Sequence, residues 1–285
     1  MMLDFLTAPF TDYAFMKRAL VVSVVLAMGG VPLGVFMMLR RMTLVGDAMS
    51  HALLPGLALA FLLCGFSLWA MMAGGLITAI IVAVMAAFLV RYTQLKEEAA
   101  FTILYLLSLA AGVALVSVKA SQIDLLHLLF GNVLAVTSEG LMLVCGTCVV
   151  TLFSLALLYR RLVIDGHDPD FFKTTGHKRW GAGLTGLFFF ILLMINLVTA
   201  FQAMGTLMVL GLILLPSLAA RFWARTLDGM LPLALFFAVS AIYGGLMLSY
   251  YAELPPAPAI TLLAGFGALL SSIVGTVGSV VSRCR

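Results

Sequence analysis

The sequence predicts an all-α polytopic membrane protein of about nine transmembrane helices, or eight if one segment is re-entrant. Three observations lead there. Hydrophobic residues make up 64% of the 285 residues and charged residues only 10%, against about 25% charged in soluble domains. Apolar runs long enough to cross a bilayer, about 20 residues each, recur along the whole chain. The basic residues are distributed asymmetrically about those runs.

The runs fall at 18–39, 44–66, 68–90, 99–118, 139–159, 181–200, 204–221, 231–250 and 259–281. The first, from Ala19 to Leu39, is too long for a signal sequence and has no clear cleavage site, so it reads as a retained span. The second is the least uniform, because it carries Asp47, His51 and Pro55. The third ends at Arg91, and the fourth follows Lys96. The fifth ends at Arg160–Arg161, and the seventh contains Pro216. Gly and Pro inside these runs are tolerated in a membrane. With the N-terminus outside and nine crossings, thirteen of the sixteen Lys and Arg fall on the inner side, and only Lys17, Arg18 and Lys119 fall outside. That asymmetry is the positive-inside pattern, and it places the C-terminus in the cytoplasm. The net charge of +4 comes from these helix-end residues and gives no sign of a nucleic-acid surface.

Two connections stand out. The outer one, 119–138, holds Gln122, Asp124 and His127 and suits a short interfacial helix. The inner one, 160–180, has Asp168-Pro169-Asp170 as a helix start and Gly176 as a stop. It reads either as a short surface helix with a partner or as a solvated loop. Cys145 and Cys148 form a CxxC inside an apolar run, where helix packing outweighs a redox role.

The chemistry concentrates in Val45-Gly46-Asp47-Ala48-Met49-Ser50-His51-Ala52-Leu53-Leu54-Pro55-Gly56. Asp47 and His51 are four residues apart and share a helix face. A carboxylate and an imidazole in apolar surroundings need a partner or an ion. One oxygen and one nitrogen donor suit a first-row transition metal, with the remaining ligands coming from elsewhere. Ser50 adds a neighbouring hydroxyl. Pro55-Gly56 interrupts the helix one turn on, as in discontinuous transporter helices, although a packing kink reads the same way. Asn196 and Gln202 are the other candidates for a polar path, although both suit interhelical hydrogen bonding slightly better. The chain has no GxxxxGK[ST] phosphate loop and no HExxH or GxSxG arrangement, so it is not expected to be an enzyme. Active transport would draw on an ion gradient or on another subunit.

The stretch from Leu39 to Gly56 closely resembles the signature of the membrane permeases of bacterial ABC-type manganese, iron and zinc importers. Similar segments follow in order: Lys96-Glu97-Glu98-Ala99, Phe130-Gly131-Asn132-Val133-Leu134, Asp168-Pro169-Asp170 with Gly176, Gln202 with Gly205, Leu215-Pro216, and Leu248-Ser249-Tyr250 before Pro255. The resemblance implies a type II ABC-importer-like fold in a single permease domain over 1–285, set in a bacterial inner membrane. It implies a second permease subunit, identical or paralogous, two cytoplasmic ATPase subunits that hold the ATP, and an extracytoplasmic metal-binding protein. It implies Asp47 and His51 as ligands of a passing Mn2+ or Fe2+ ion, or Zn2+, with no permanently bound cofactor. It also implies that Asp168, Pro169, Asp170, Phe171, Phe172 and Gly176 belong to a helix coupling the permease to the ATPase. The Ser50-to-Gly56 wording is closer to the manganese and iron branch than to the zinc branch. The chain departs from the family at His167, Phe171-Phe172, Pro216-Ser217-Leu218 and Pro255-Pro256-Ala257. A gradient-driven metal carrier and a non-transport membrane scaffold are the rival readings.

Overall fold

A run of about 20 apolar residues in a bilayer must satisfy every backbone group internally, which makes it a helix. The computed structural model describes residues 9–10, 13–40, 42–65, 67–95, 97–119, 136–167, 180–279 and 281. Among the described residues it has ten helices: α1 (Ala14–Leu39), α2 (Thr43–Ala52), α3 (Leu54–Cys64), α4 (Leu68–Tyr92), α5 (Glu97–Lys119), α6 (Ser138–His167), α7 (Trp180–Met204), α8 (Thr206–Arg221), α9 (Leu227–Ala252) and α10 (Pro256–Val274). Seven of them are long and apolar enough to cross a membrane, and α3 and α8 are shorter apolar helices. The predicted interfacial element and the predicted coupling helix, with Asp168, Pro169, Asp170, Phe171, Phe172 and Gly176, lie outside the described residues.

Three expectations change. The 44–66 segment is two helices of 10 and 11 residues, not one span. Each covers about 15 Å, roughly half the hydrocarbon thickness. The inner connection begins later than expected, because α6 continues through Arg160 and Arg161 to His167. The last helix stops at Val274, well short of 281. Beyond it the chain turns through Gly275 and docks on the turn after α8, where the Val277 N–H donates to the Phe222 carbonyl at 2.8 Å.

The long helices differ in what they bury. In α4, α5 and α6 only 28% of the apolar window is buried. Ile77, Phe88, Leu107, Phe153 and Leu157 are each at least half exposed. Outward apolar faces of this size suit contact with lipid. The windows of α1 and α7 are 72% and 67% buried, so these two helices are surrounded by protein. Hydroxyls within the helices bond back to their own carbonyls, as Ser23 does to Ala19 at 2.7 Å and Thr151 to Thr147 at 2.7 Å. Such bonds satisfy polar groups that lipid cannot.

The chain divides into two compact units, residues 1–38, 126–152 and 200–285, and residues 39–125 and 153–199. In the first, α8 packs against both α9 and α10. α1 meets α8 through small residues. A Cβ on Gly34 would fall on the Ile213 carbonyl, and one on Gly30 would meet the Ile213 side chain at 2.9 Å. Beside this contact the Ser217 hydroxyl donates to the Val31 carbonyl at 3.2 Å. The α9–α10 hairpin is closed by Glu253 in the left-handed region, φ 54°, and by Ser249 donating to the Leu254 carbonyl at 2.6 Å. Close helix approach through small residues is how membrane helices gain packing energy. Gly34→Ala should therefore lower the melting temperature of the purified protein more than Gly30→Ala, because a carbonyl cannot move aside as a side-chain methyl can. A penalty of about 1–3 kcal/mol is expected for Gly34→Ala. Equal melting temperatures for the two variants would contradict the α1–α8 contact.

In the second unit the short pair α2 and α3 packs with α4 and α5. This arrangement positions the candidate site.

Candidate metal pathway at a broken helix

The break between α2 and α3 follows from the sequence. Pro55 has no N–H to offer the His51 carbonyl four residues earlier. That carbonyl takes the Leu53 N–H instead. Pro55 then sits in the first turn of α3, where proline is tolerated. The chain barely turns at the joint, since Leu53 keeps helical angles, φ −76° and ψ −21°.

Two neighbouring helices hold the joint. From α5, the Ser108 hydroxyl donates to the Ala52 carbonyl at 2.8 Å. One turn along the same face, Gly112 lies so near that a Cβ there would be 3.0 Å from Leu54 Cβ and 3.1 Å from Pro55 N. From α4, Gly74 and Thr78 form the opposing surface. A Cβ on Gly56 would land on the Gly74 carbonyl and the Thr78 hydroxyl, and a Cβ on Gly74 would land on the Gly56 carbonyl. The Thr78 hydroxyl is itself bonded to the Gly74 carbonyl at 3.0 Å. Val198 of α7 packs on α4 at Gly75, where a Cβ would meet its methyls at 3.2 Å.

His51 lies in the last turn of α2 and is partly exposed. Asp47 lies one turn before it on the same helix, and Ser50 directly precedes it. The backbone thus places Asp47 and His51 on one face, and the side chains of Asp47 and Ser50 lie outside what is described. Among the described residues no group of three or more His, Cys, Asp and Glu comes together. The entrance to α2 is set by Arg40, whose guanidinium carbon lies 4.7 Å from the Phe189 ring centroid. A cation over an aromatic face ties the residue that follows α1 to α7.

The two amides behave differently. Asn196 is 2% exposed and donates to the Leu192 carbonyl at 2.9 Å, which is a structural use. Gln202 stands in the last turn of α7, before Gly205 breaks the chain with φ 80°. Its amide nitrogen and oxygen are both buried without a hydrogen-bond partner. A buried amide left in that state costs about 1–3 kcal/mol per group, so the position favours a polar occupant. Ser108, Gly112, Gly74 and Thr78 were not singled out from the sequence. Their signal was present as small residues four apart, Ser108 with Gly112 and Gly74 with Thr78.

Residues 12–275 match the ABC 3 transport family. The chain belongs to that family. Among its relatives, a manganese transport system membrane protein of Listeria monocytogenes is 32% identical over 89% of this chain and 88% of its own length. A manganese import system permease of Streptococcus gordonii is 30% identical over 92% of each. A chelated iron transport system membrane protein of Yersinia pestis is 29% identical over 92% of this chain and 86% of its own. The solved structure of PsaBC from Streptococcus pneumoniae in complex with Fab matches with a TM-score of 0.85 and 27% identity, covering 100% of both chains. An inward-facing putative metal-chelate type ABC transporter shares the fold, with a TM-score of 0.69 over 90% of this chain and 86% of that one, at 18% identity. The chain is thus a multi-pass membrane permease with the type II importer fold. Its place in the ABC 3 transport family implies an ATPase, a permease partner and a binding protein.

Proposed function

We propose that this permease carries divalent transition metal ions inward across a bacterial inner membrane, with manganese and iron ahead of zinc. The observation that carries the reading is the divided α2–α3 element. It places His51 at its joint and Asp47 one turn away, in a chain similar over about nine-tenths of its length to manganese permeases. A carboxylate lowers the barrier for a dication to shed water, and a single imidazole keeps the affinity low enough for release. Conduction needs both. A two-fold pair of permeases would bring two such half-sites together and supply up to four donors. Gln202 suits a neutral, polar position along the path, and Ser50 a supporting hydroxyl. Asn196 suits helix packing better than the path. The 160–180 connection would carry the motion of the ATPase through Asp168, Pro169, Asp170, Phe171, Phe172 and Gly176. Mn and Fe share ligand preferences, which is why both are named.

The test is uptake into proteoliposomes that hold the permease with its ATPase and binding protein, supplied with Mn, Fe or Zn, with and without ATP. ATP-dependent uptake with Mn or Fe preferred over Zn is expected. Uptake driven by a proton or sodium gradient, with no need for the ATPase, would establish the lone-carrier reading instead. No metal uptake in any condition would leave the scaffold reading.

A further inference from the structure

We propose that Ser108 is a positioning residue for His51, acting through the Ala52 carbonyl. This rests on the reading of His51 as a metal ligand. Two other hydroxyls on α5 bond back along their own helix. Thr102 donates to the Glu98 carbonyl at 2.7 Å and Ser117 to the Val113 carbonyl at 2.8 Å. Ser108 instead crosses to another helix, 56 residues away in sequence, and takes the carbonyl next to His51. It is buried at 8% exposure, so the bond is made away from solvent.

The bond has a mechanical consequence. In a continuous helix the Ala52 carbonyl would accept the Gly56 N–H. At this joint, where Pro55 interrupts the ladder, that carbonyl is tied to Ser108 of α5. Gly112 fixes the far side of the same joint against Leu54 and Pro55. α5 thus grips the chain on both sides of the break. The orientation of the last turn of α2, and of His51 on it, follows from that grip. Removing the hydroxyl takes away the tie between the last turn of α2 and α5, so that turn, and His51 on it, is no longer held in one orientation towards its partner ligands.

The experiment measures Mn2+ binding to the purified permease–ATPase complex by equilibrium dialysis, together with the melting temperature. The variants are Ser108→Ala, Ser108→Val, Ser108→Thr, Ser117→Ala and His51→Ala. Ser108→Ala and Ser108→Val should raise the Kd about 2- to 10-fold, the net worth of one hydrogen bond. Ser108→Thr, which keeps the hydroxyl, and Ser117→Ala should bind as the wild type does. A wild-type Kd in Ser108→Ala and Ser108→Val, or a Ser108→Thr Kd as weak as that of Ser108→Val, overturns the proposal. If the hydroxyl-free variants do not assemble, Ser108→Cys decides, because it keeps the size with a weak donor. A raised Kd supports the role and an unchanged one overturns it. Unchanged binding in His51→Ala removes the ligand reading itself. Lost binding in His51→Ala beside an unchanged Kd in Ser108→Ala removes only the positioning role.

Discussion

Asp47→Ala and His51→Ala are each expected to reduce ATP-dependent metal uptake by at least about 100-fold, with the complex still assembled. A group that merely supports a metal ligand is worth about 10- to 100-fold in affinity, so losing a ligand should cost no less. Each permease has only this pair to offer from α2, and no cluster of three or more His, Cys, Asp and Glu is present among the described residues to replace it. Asp47→Asn separates charge from shape. It keeps the volume and one oxygen but loses the negative charge that compensates a dication's lost water, so it should fall close to Asp47→Ala. Uptake rates in proteoliposomes are read beside the yield of intact complex on size exclusion. Wild-type uptake in either alanine variant would demote the pair to a structural role, and a loss of complex would show that the pair acts in folding.

Gly56→Val is expected to prevent the permease from folding into a monodisperse particle. The side chain would have to occupy the space of the Gly74 carbonyl and the Thr78 hydroxyl, and the reciprocal contact of Gly74 with the Gly56 carbonyl leaves neither helix room to withdraw. Ordinary overpacking costs about 1–3 kcal/mol when side chains can shift. Here the obstacle is backbone on both sides, and the joint beside it is already held by Ser108 and Gly112. Gly265→Ala serves as the control, since its Cβ would meet only Leu215 Cδ1 at 3.7 Å. The measure is the yield of monodisperse protein in detergent and its melting temperature. Gly56→Val behaving like Gly265→Ala would contradict the α3–α4 crossing.

These two outcomes divide along the line between what was legible in the sequence and what was not. Asp47 and His51 stood out because charge is rare in this chain and because four residues is one helical turn. Pro55 announced an interruption, since a proline removes a backbone donor wherever it stands. Gly205, which takes φ 80° between α7 and α8, was not marked as a break from the sequence, where the seventh span was expected to begin at 204 and α8 begins at Thr206. The reach of α6 to His167 was hidden because the charged residues from Arg160 onward look like loop, whereas they continue a helix past the apolar window.

The sequence by itself determined the class of the protein. Apolar runs of bilayer length leave the backbone no alternative to helices, and the scarcity of charge makes Asp47 and His51 conspicuous. Only the tertiary structure decided how the second run is used. Composition cannot distinguish one 23-residue span from two half-length helices, because both are equally apolar. Pro55 sets where the run divides, and what holds the divided joint in place is tertiary: a hydroxyl on α5 that takes the Ala52 carbonyl, and glycines on α4 and α5 that let those helices close on the joint. Those partners are 18 to 58 residues away along the chain, so no local pattern could have revealed the contacts that fix His51.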